Sequence, residues 1–349
     1  MNKKNKRFLI ALLRFHGDIV LTTPMINEIK RNFPNAEIDY LVYRGTGSIL
    51  ESDSRVNKIL EAESSSKSNL IKRVLKEIQL LRKLVTTNYD YGIFLTTQWR
   101  MALMARCLVN AKTAGVDDIK RRKASWVNSF TTIFNGSENK HIVERNLKSL
   151  EQLGLKINFK DITLKLSIPK AAEDSVKELN RSYLIGNNYC VFHPVSRRKV
   201  KLWTKEYFAE LIDYYSGLGL KVVVTSGPEK KELSYLNDIE SLTESKPINL
   251  GGQTSLIELA ELIKGANFFV ALDSVASHIG AAVGTKGVTL FGPSKPENWR
   301  PWSKNISIIS RNKNEEYCSL HGHLEGKSKQ CLCYISPKKV IKELERLNS

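Results

Sequence analysis

The run Phe8-Leu9-Ile10-Ala11-Leu12-Leu13 passes directly into Arg14-Phe15-His16-Gly17-Asp18-Ile19-Val20-Leu21-Thr22-Thr23-Pro24. An apolar run without alternation reads as a strand buried on both faces, as in a parallel sheet covered by helices. Gly17 permits a tight turn after it, which leaves Asp18 at the strand's carboxyl end, where α/β proteins place their ligands. Thr22-Thr23-Pro24 reads as the first turn of the next helix, burying Ile26, Ile29 and Phe33. Asp18 is therefore a candidate functional carboxylate on a strand-to-helix crossover, and it serves equally well as a helix-capping residue.

Outward from this crossover the first half alternates in type. Strands are expected near 8–14, 36–43 and 89–96, and helices near 24–33, 69–87 and 141–153, the last closed by Gly154. Asp117 to Asn139 is a weaker, polar region. The pattern breaks at Ser167-Ile168-Pro169-Lys170, and a second series follows with strands near 189–194, 221–226, 268–272 and 287–291. These readings give an N-terminal domain of residues 1–170, a C-terminal domain of 171–336 and an amphipathic final helix within 337–349 that carries Val340, Ile341, Leu344 and Leu347. Strand-helix alternation in both halves predicts an α/β protein built on parallel sheets.

The bulk properties narrow the classes. A chain of 349 residues with 42% hydrophobic content is expected to form two folded domains. A formal charge of +18 implies an anionic partner, whether nucleic acid, a lipid surface or a phosphorylated substrate. Lys-Arg-Arg-Lys at 120–123 is the densest basic run, but it lacks interleaved aromatic residues, and the basic residues are dispersed through both halves rather than gathered in one nucleic-acid motif. The basic segment before Phe8 is read as leading into a retained first strand, because the apolar part is short and Arg14 interrupts it. No segment has the roughly 18 consecutive apolar residues of a membrane span. Five cysteines, with Cys107 and Cys190 in apolar segments, are the usage of a reduced compartment.

Four constellations could carry chemistry. Asp273-Ser274-Val275-Ala276 with Ser277-His278 follows a strand and opens a small-residue helix, whose unpaired N–H groups and positive end suit a phosphate. Ser196-Arg197-Arg198-Lys199-Val200-Lys201 sets four cations after another strand, placed to neutralise a departing diphosphate. Glu232 follows the turn Ser226-Gly227-Pro228, where an acidic residue can accept from a ribose hydroxyl and also suits a helix N-terminus. Cys318, His321, His323, Cys331 and Cys333 have a spacing that fits no ordinary zinc site. There is no phosphate-binding P-loop, no His-Glu-x-x-His and no Gly-x-Ser-x-Gly, and no Asp-x-Asp lies in a suitable turn.

Taken in order, the segments resemble glycosyltransferase family 9, the bacterial lipopolysaccharide heptosyltransferases, and most of all its heptosyltransferase III branch. The carrying residues are Leu13–Asp18 with Leu21-Thr22-Thr23-Pro24, Thr97-Gln98-Trp99-Arg100, Ser196-Arg197 with Lys201 and Trp203, Thr225-Ser226-Gly227-Pro228, Asp273-Ser274 with His278, and Leu290-Phe291-Gly292-Pro293-Ser294 leading to Trp299-Arg300-Pro301-Trp302. The resemblance spans almost the whole chain. It implies two facing Rossmann-like domains, the GT-B fold, with the acceptor bound mainly by the first and the nucleotide sugar by the second.

By that resemblance Asp18 is the base and Lys201 the cation on the donor diphosphate, with Glu232 on the ribose and Thr254 beside the adenine. Ser196 and the backbone of Ser274, Val275 and Ala276 contact phosphate, Asp273 contacts the heptose, Arg197 and His278 complete the donor side, and His16, Arg100, Lys120, Arg121 and Arg122 belong to the acceptor side. Arg198-Lys199 and Val275-Ala276 depart from the pattern and bear on fine specificity. The implied reaction is inverting heptose transfer from ADP-heptose to a core heptose on lipid A, without cofactor, metal or nucleic acid, by a cytoplasmic protein peripheral to an anionic membrane surface. Heptosyltransferase I or II, another sugar-nucleotide transferase, a basic nucleic-acid-binding protein and a non-catalytic sugar-nucleotide binder are the alternatives.

Overall fold

The structure, a computed structural model, describes residues 5–64, 70–118, 123–136, 140–292, 294–310 and 332–348. Lys120, Arg121, Arg122, Pro293, Cys318, His321, His323 and Cys331 lie outside the described residues. The chain divides into two compact units, Met1–Ser167 and Ile168–Ser349.

In the first unit the elements run β1 (Arg7–Leu12), α1 (His16–Val20), α2 (Thr23–Asn32), β2 (Glu37–Tyr43), β3 (Lys58–Ala62), α3 (Leu70–Thr86), β4 (Tyr91–Phe94), α4 (Trp99–Cys107), β5 (Lys112–Asp117), α5 (Ala124–Val127), β6 (Thr132–Asn135) and α6 (Ile142–Gln152). The strands form one parallel sheet in the order β3-β2-β1-β4-β5-β6. β1 is central, and its residues alternate between two covered faces. Leu9 and Ala11 join a cluster with Leu80, Leu84, Met101, Phe94 and Trp126, while Phe8 stacks on Tyr91 with ring centroids 4.5 Å apart. Burial on both faces is why β1 carries no polar alternation.

Three expectations are corrected here. Gly17 does not make the turn after β1: it lies inside the one-turn helix α1, and the chain reverses at Leu13–Phe15. Sequence periodicity missed α1 because a helix of this length has no complete apolar face. The polar region Asp117–Asn139 contains α5 and the edge strand β6, anchored by Trp126, which is fully buried and donates its indole N–H to the Val116 carbonyl at 2.9 Å. The strands β3, β5 and β6 were also unread: β3 and β6 are shorter than β1, and β5, equal to it in length, is more polar. By contrast α2 begins one residue after Thr22, with Pro24 in its first turn, and Gly154 ends α6 in the left-handed region at φ 91°.

The second unit runs α7 (Lys170–Tyr183), β7 (Tyr189–His193), α8 (Lys205–Gly217), β8 (Lys221–Val224), α9 (Lys230–Glu240), β9 (Ile248–Asn249), α10 (Leu256–Lys264), β10 (Phe269–Leu272), α11 (Val275–Val283), β11 (Gly287–Phe291), α12 (Pro296–Trp299), β12 (Ile306–Ser310) and α13 (Pro337–Asn348). Its parallel sheet has the order β12-β11-β10-β7-β8-β9, which repeats the first unit's order read from the other edge. Both are doubly wound Rossmann-like sheets. α13, set apart in the sequence reading, is part of this unit: Val340 and Leu344 are buried in the cluster formed by Phe192, Trp203, Phe208 and Leu290.

Candidate active site

A doubly wound sheet opens a crevice at the carboxyl ends of the two neighbouring strands from which the chain leaves in opposite directions. In the first unit these are β1 and β4, and in the second β7 and β10. Of the residues singled out from sequence, His16, Asp18 and Arg100 follow β1 and β4, and Ser196 to Lys201 and Asp273 to His278 follow β7 and β10, whereas Glu232 and Thr254 follow the neighbouring strands β8 and β9.

After β1 the chain carries His16 and Asp18, both half-buried in the short helix α1. Asp18 is its third residue, and one carboxylate oxygen accepts from the Phe15 N–H at 3.3 Å. Its capping role is therefore real. His16 Nδ1 lies 3.1 Å from the Thr46 carbonyl. A carbonyl only accepts, so Nδ1 carries the proton and Nε2 the lone pair. Burial pushes the His16 pKa down against the opposing pull of that hydrogen bond.

Gln98, at the start of α4, was part of a quoted motif without an assigned role. Its side-chain amide donates to the Leu13 carbonyl at 3.2 Å and accepts from the Tyr43 hydroxyl at 3.1 Å. It thus fastens the ends of β1 and β2 beside the turn that carries Asp18. A polar residue directly after a buried strand was the available signal. Beside it, the Thr96 hydroxyl is buried without a hydrogen-bond partner among the described residues. Arg100 is held within the unit, donating to Glu77 at 2.6 Å and to the Glu63 carbonyl at 3.1 Å, so it ties α4 to α3.

In the second unit Lys201 ends a single 3-10 turn, Lys199–Lys201, after β7. Its ammonium lies 2.6 Å from Asp273 Oδ2, with both side chains largely buried. Of the four cations in this turn Lys201 is half-buried, whereas Arg197, Arg198 and Lys199 are exposed. Asp273 ends β10, and Ser274 caps α11, whose first N–H groups belong to Val275 and Ala276. Those groups have no intrahelical acceptor. Ser274 Oγ is buried and makes no hydrogen bond within the described residues. His278 is buried one turn further along α11. Gly280 lets this helix approach the sheet, since a Cβ there would lie 2.3 Å from the buried Phe269 ring.

Glu232 stands in the first turn of α9 and accepts from the Gly227 N–H at 2.9 Å. Burial raises its pKa, and that hydrogen bond partly offsets the rise. Thr254 lies after β9, just before Ser255, which closes a capping box with Glu258 at the head of α10. Along the carboxyl edge of the second sheet the order is therefore Thr254, Glu232, Ser196 to Lys201, then Asp273 to Ala276, one group per strand from β9 to β10. With neighbouring strands ~4.8 Å apart, this row covers roughly 15 Å. Sequence reasoning passed over His193 at the end of β7: it is buried, its Nδ1 is 3.0 Å from Thr225 Oγ1, and desolvation pushes its pKa down to about 4. Among the described residues no three His, Cys, Asp or Glu side chains are grouped as a metal site, and no helix is long and apolar enough to cross a membrane.

The chain is 35% identical over 343 residues to the lipopolysaccharide heptosyltransferase 3 of Escherichia coli, covering 96% of both chains. It is 21% identical over 357 residues to the lipopolysaccharide core heptosyltransferase OpsX of Haemophilus influenzae, covering 98% of this chain and 97% of that one. Among solved structures, a glycosyl transferase family 9 protein from Veillonella parvula superposes with a TM-score of 0.82 at 22% identity, covering 99% of this chain and 98% of that one. The E. coli heptosyltransferase WaaC with ADP gives 0.75 at 19% identity, covering 98% and 99%. These likenesses place the two doubly wound units in the GT-B fold class. The model of glycosyltransferase family 9 (heptosyltransferase) matches residues 78–328, and with that match and the full-length relative the chain belongs to this family of heptosyltransferases.

Proposed function

We propose that this chain is an inverting transferase that moves heptose from ADP-heptose to a heptose of the lipopolysaccharide inner core. The observation that carries this reading is the 35% identity to a lipopolysaccharide heptosyltransferase 3 across 96% of both chains. The donor lies along the carboxyl edge of the second sheet. There the order Thr254, Glu232, Ser196 to Lys201 and Asp273 to Ala276 follows the order adenine, ribose, diphosphate, heptose. Ser274 Oγ and the Val275 and Ala276 N–H groups are donors suited to a phosphate at a positive helix end.

Asp18 takes the proton from the acceptor hydroxyl as its oxygen attacks the anomeric carbon. A carboxylate suits this step because the hydroxyl becomes acidic only as the new bond forms. The bond to the ADP oxygen breaks on the opposite side, which inverts the anomeric centre. Lys201, Arg197 and the head of α11 meet the charge gathering on ADP, so fixed protein charge performs the work often given to a divalent ion. His16, held with Nε2 as acceptor, Arg100, and Lys120, Arg121 and Arg122 serve the phosphorylated acceptor. The chain works in the cytoplasm at the inner face of an anionic membrane, which accounts for its charge of +18.

The test is to incubate the purified protein with ADP-heptose and core acceptors truncated at successive steps, reading product mass. One added heptose on the acceptor that already carries core heptose supports the reading. Addition only to the heptose-free acceptor transfers it to another branch of the family. Asp18→Asn should lower turnover on the order of 10²–10⁴-fold with ADP affinity nearly unchanged, and near-normal turnover would remove Asp18 from the base role.

A further inference from the structure

Among the described residues of the first unit, the helices α3 and α4 carry large apolar side chains that are about half exposed. Val74, Leu75 and Ile78 on α3, Trp99 and Leu103 on α4 and Phe15 in the turn after β1 are between 42 and 54% exposed. They are not scattered. α3 follows β3 and α4 follows β4, so both helices start at the carboxyl edge of the sheet, the edge that also carries Phe15 and Asp18, with Trp99 at the head of α4 and Val74, Leu75 and Ile78 in the second and third turns of α3. The Arg100–Glu77 ion pair fixes the two helices side by side.

The charges among these residues identify the partner. Among the described side chains α3 carries Lys76, Arg82 and Lys83 against the single anion Glu77, and Arg106 follows Leu103 one turn along α4. The core of a protein–protein interface is depleted of lysine and of charge generally. Aliphatic and aromatic residues interleaved with cations are instead the composition of a helix lying in the headgroup region of an anionic bilayer. We infer that the exposed face formed by α3, the head of α4 and Phe15 docks on an anionic lipid bilayer and brings the carboxyl edge of the first sheet to the membrane. This rests on the proposed function only in giving the docking a purpose, since an acceptor anchored in that bilayer would then be presented on the side of Asp18.

The experiment is co-sedimentation of the full chain with vesicles of phosphatidylcholine alone and of phosphatidylcholine mixed with phosphatidylglycerol. Binding to the mixed vesicles alone, weakened by salt, is expected. Leu75→Glu with Ile78→Glu should reduce that binding on the order of tenfold or more, because each change removes apolar groups that would enter the bilayer and adds a repelled charge. Both positions are exposed, so unchanged far-ultraviolet circular dichroism is expected of the double variant. Arg82→Glu with Lys83→Glu serves as an independent charge variant and should flatten the salt dependence. On an acceptor freed of its acyl chains the Leu75→Glu, Ile78→Glu protein should turn over at the parental rate.

Equal sedimentation with neutral and anionic vesicles would overturn the inference, as would undiminished binding by both double variants. A parental dimer in light scattering that Leu75→Glu with Ile78→Glu converts to monomer would overturn it in favour of self-association. If the parental protein binds anionic vesicles but transfers no heptose to any acceptor, the proposed function fails while the docking surface stands.

Discussion

At the scale of single residues, the contact between Lys201 and Asp273 has two separable consequences. The ammonium neutralises a carboxylate that is 7% exposed, and on the proposed reading it also meets the charge of the departing ADP. Lys201→Ala therefore strands a buried charge, at a cost of about 3 kcal/mol, and should lower turnover on the order of 10²–10³-fold. Adding Asp273→Asn should recover most of the lost stability in thermal unfolding without recovering turnover. If both recover together, Lys201 is a structural partner and no more. His193 supplies the pH dependence. Its folded-state pKa is pushed down to about 4 from an ordinary 6.5, so between these values the unfolded chain binds more protons than the folded one. Its contribution is then complete above pH 6.5 and drains as pH falls toward 4, by at most about 3 kcal/mol. Urea midpoints measured across this window should fall in the parental protein and fall less in His193→Gln. Identical slopes would show that other groups set the acid limb.

At the scale of elements, what was legible in the sequence was what the core dictates without interruption. β1, β7, β10 and β11 are buried along nearly their whole length, so each writes a continuous apolar run. The edge strands β3 and β6 are half-exposed and write a pattern indistinguishable from loop. The site divides in the same way. The row Asp273 to Ala276 could be read because a strand end and a helix head are adjacent in sequence. Its contact with Lys201 spans 72 positions, and no local pattern encodes it. Gln98 was missed for the same reason, since its purpose is to join Leu13 to Tyr43. The packing of α11 gives a test at this scale. Gly280 faces the ring of Phe269, which is 1% exposed and itself closely met by Gly287. Gly280→Ala should therefore lift α11 from the sheet, costing about 1–3 kcal/mol in thermal unfolding and weakening ADP binding in calorimetry through the displaced N-terminus. Phe269→Leu in the same chain should restore part of both. An unchanged melting temperature in Gly280→Ala would show that the contact relaxes without strain.

At the scale of the whole molecule, the repeated strand order puts a ligand crevice on each unit by the same topological rule, and the sequence distributes charge accordingly. The second unit's crevice holds a fixed ammonium against Asp273, and the head of α11 adds its own positive end. On the proposed reading, a divalent ion approaching the donor diphosphate would meet Lys201 already seated on Asp273, with Glu232 engaged by the Gly227 N–H. The donor set thus favours electrostatic stabilisation by protein groups over a metal, which leads to the expectation that heptose transfer is metal-independent. Protein treated with chelator, exchanged into metal-free buffer and assayed with ADP-heptose should keep most of its turnover, and added magnesium should change it by less than about twofold. The Lys201→Ala protein sharpens the test: if fixed charge replaces the ion, magnesium should recover some of its lost rate while leaving the parental rate alone. Activity abolished by chelator and restored only by a divalent ion would overturn the expectation. Zinc retained after chelation at one ion per chain would turn attention to Cys318, His321, His323, Cys331 and Cys333 as its ligands.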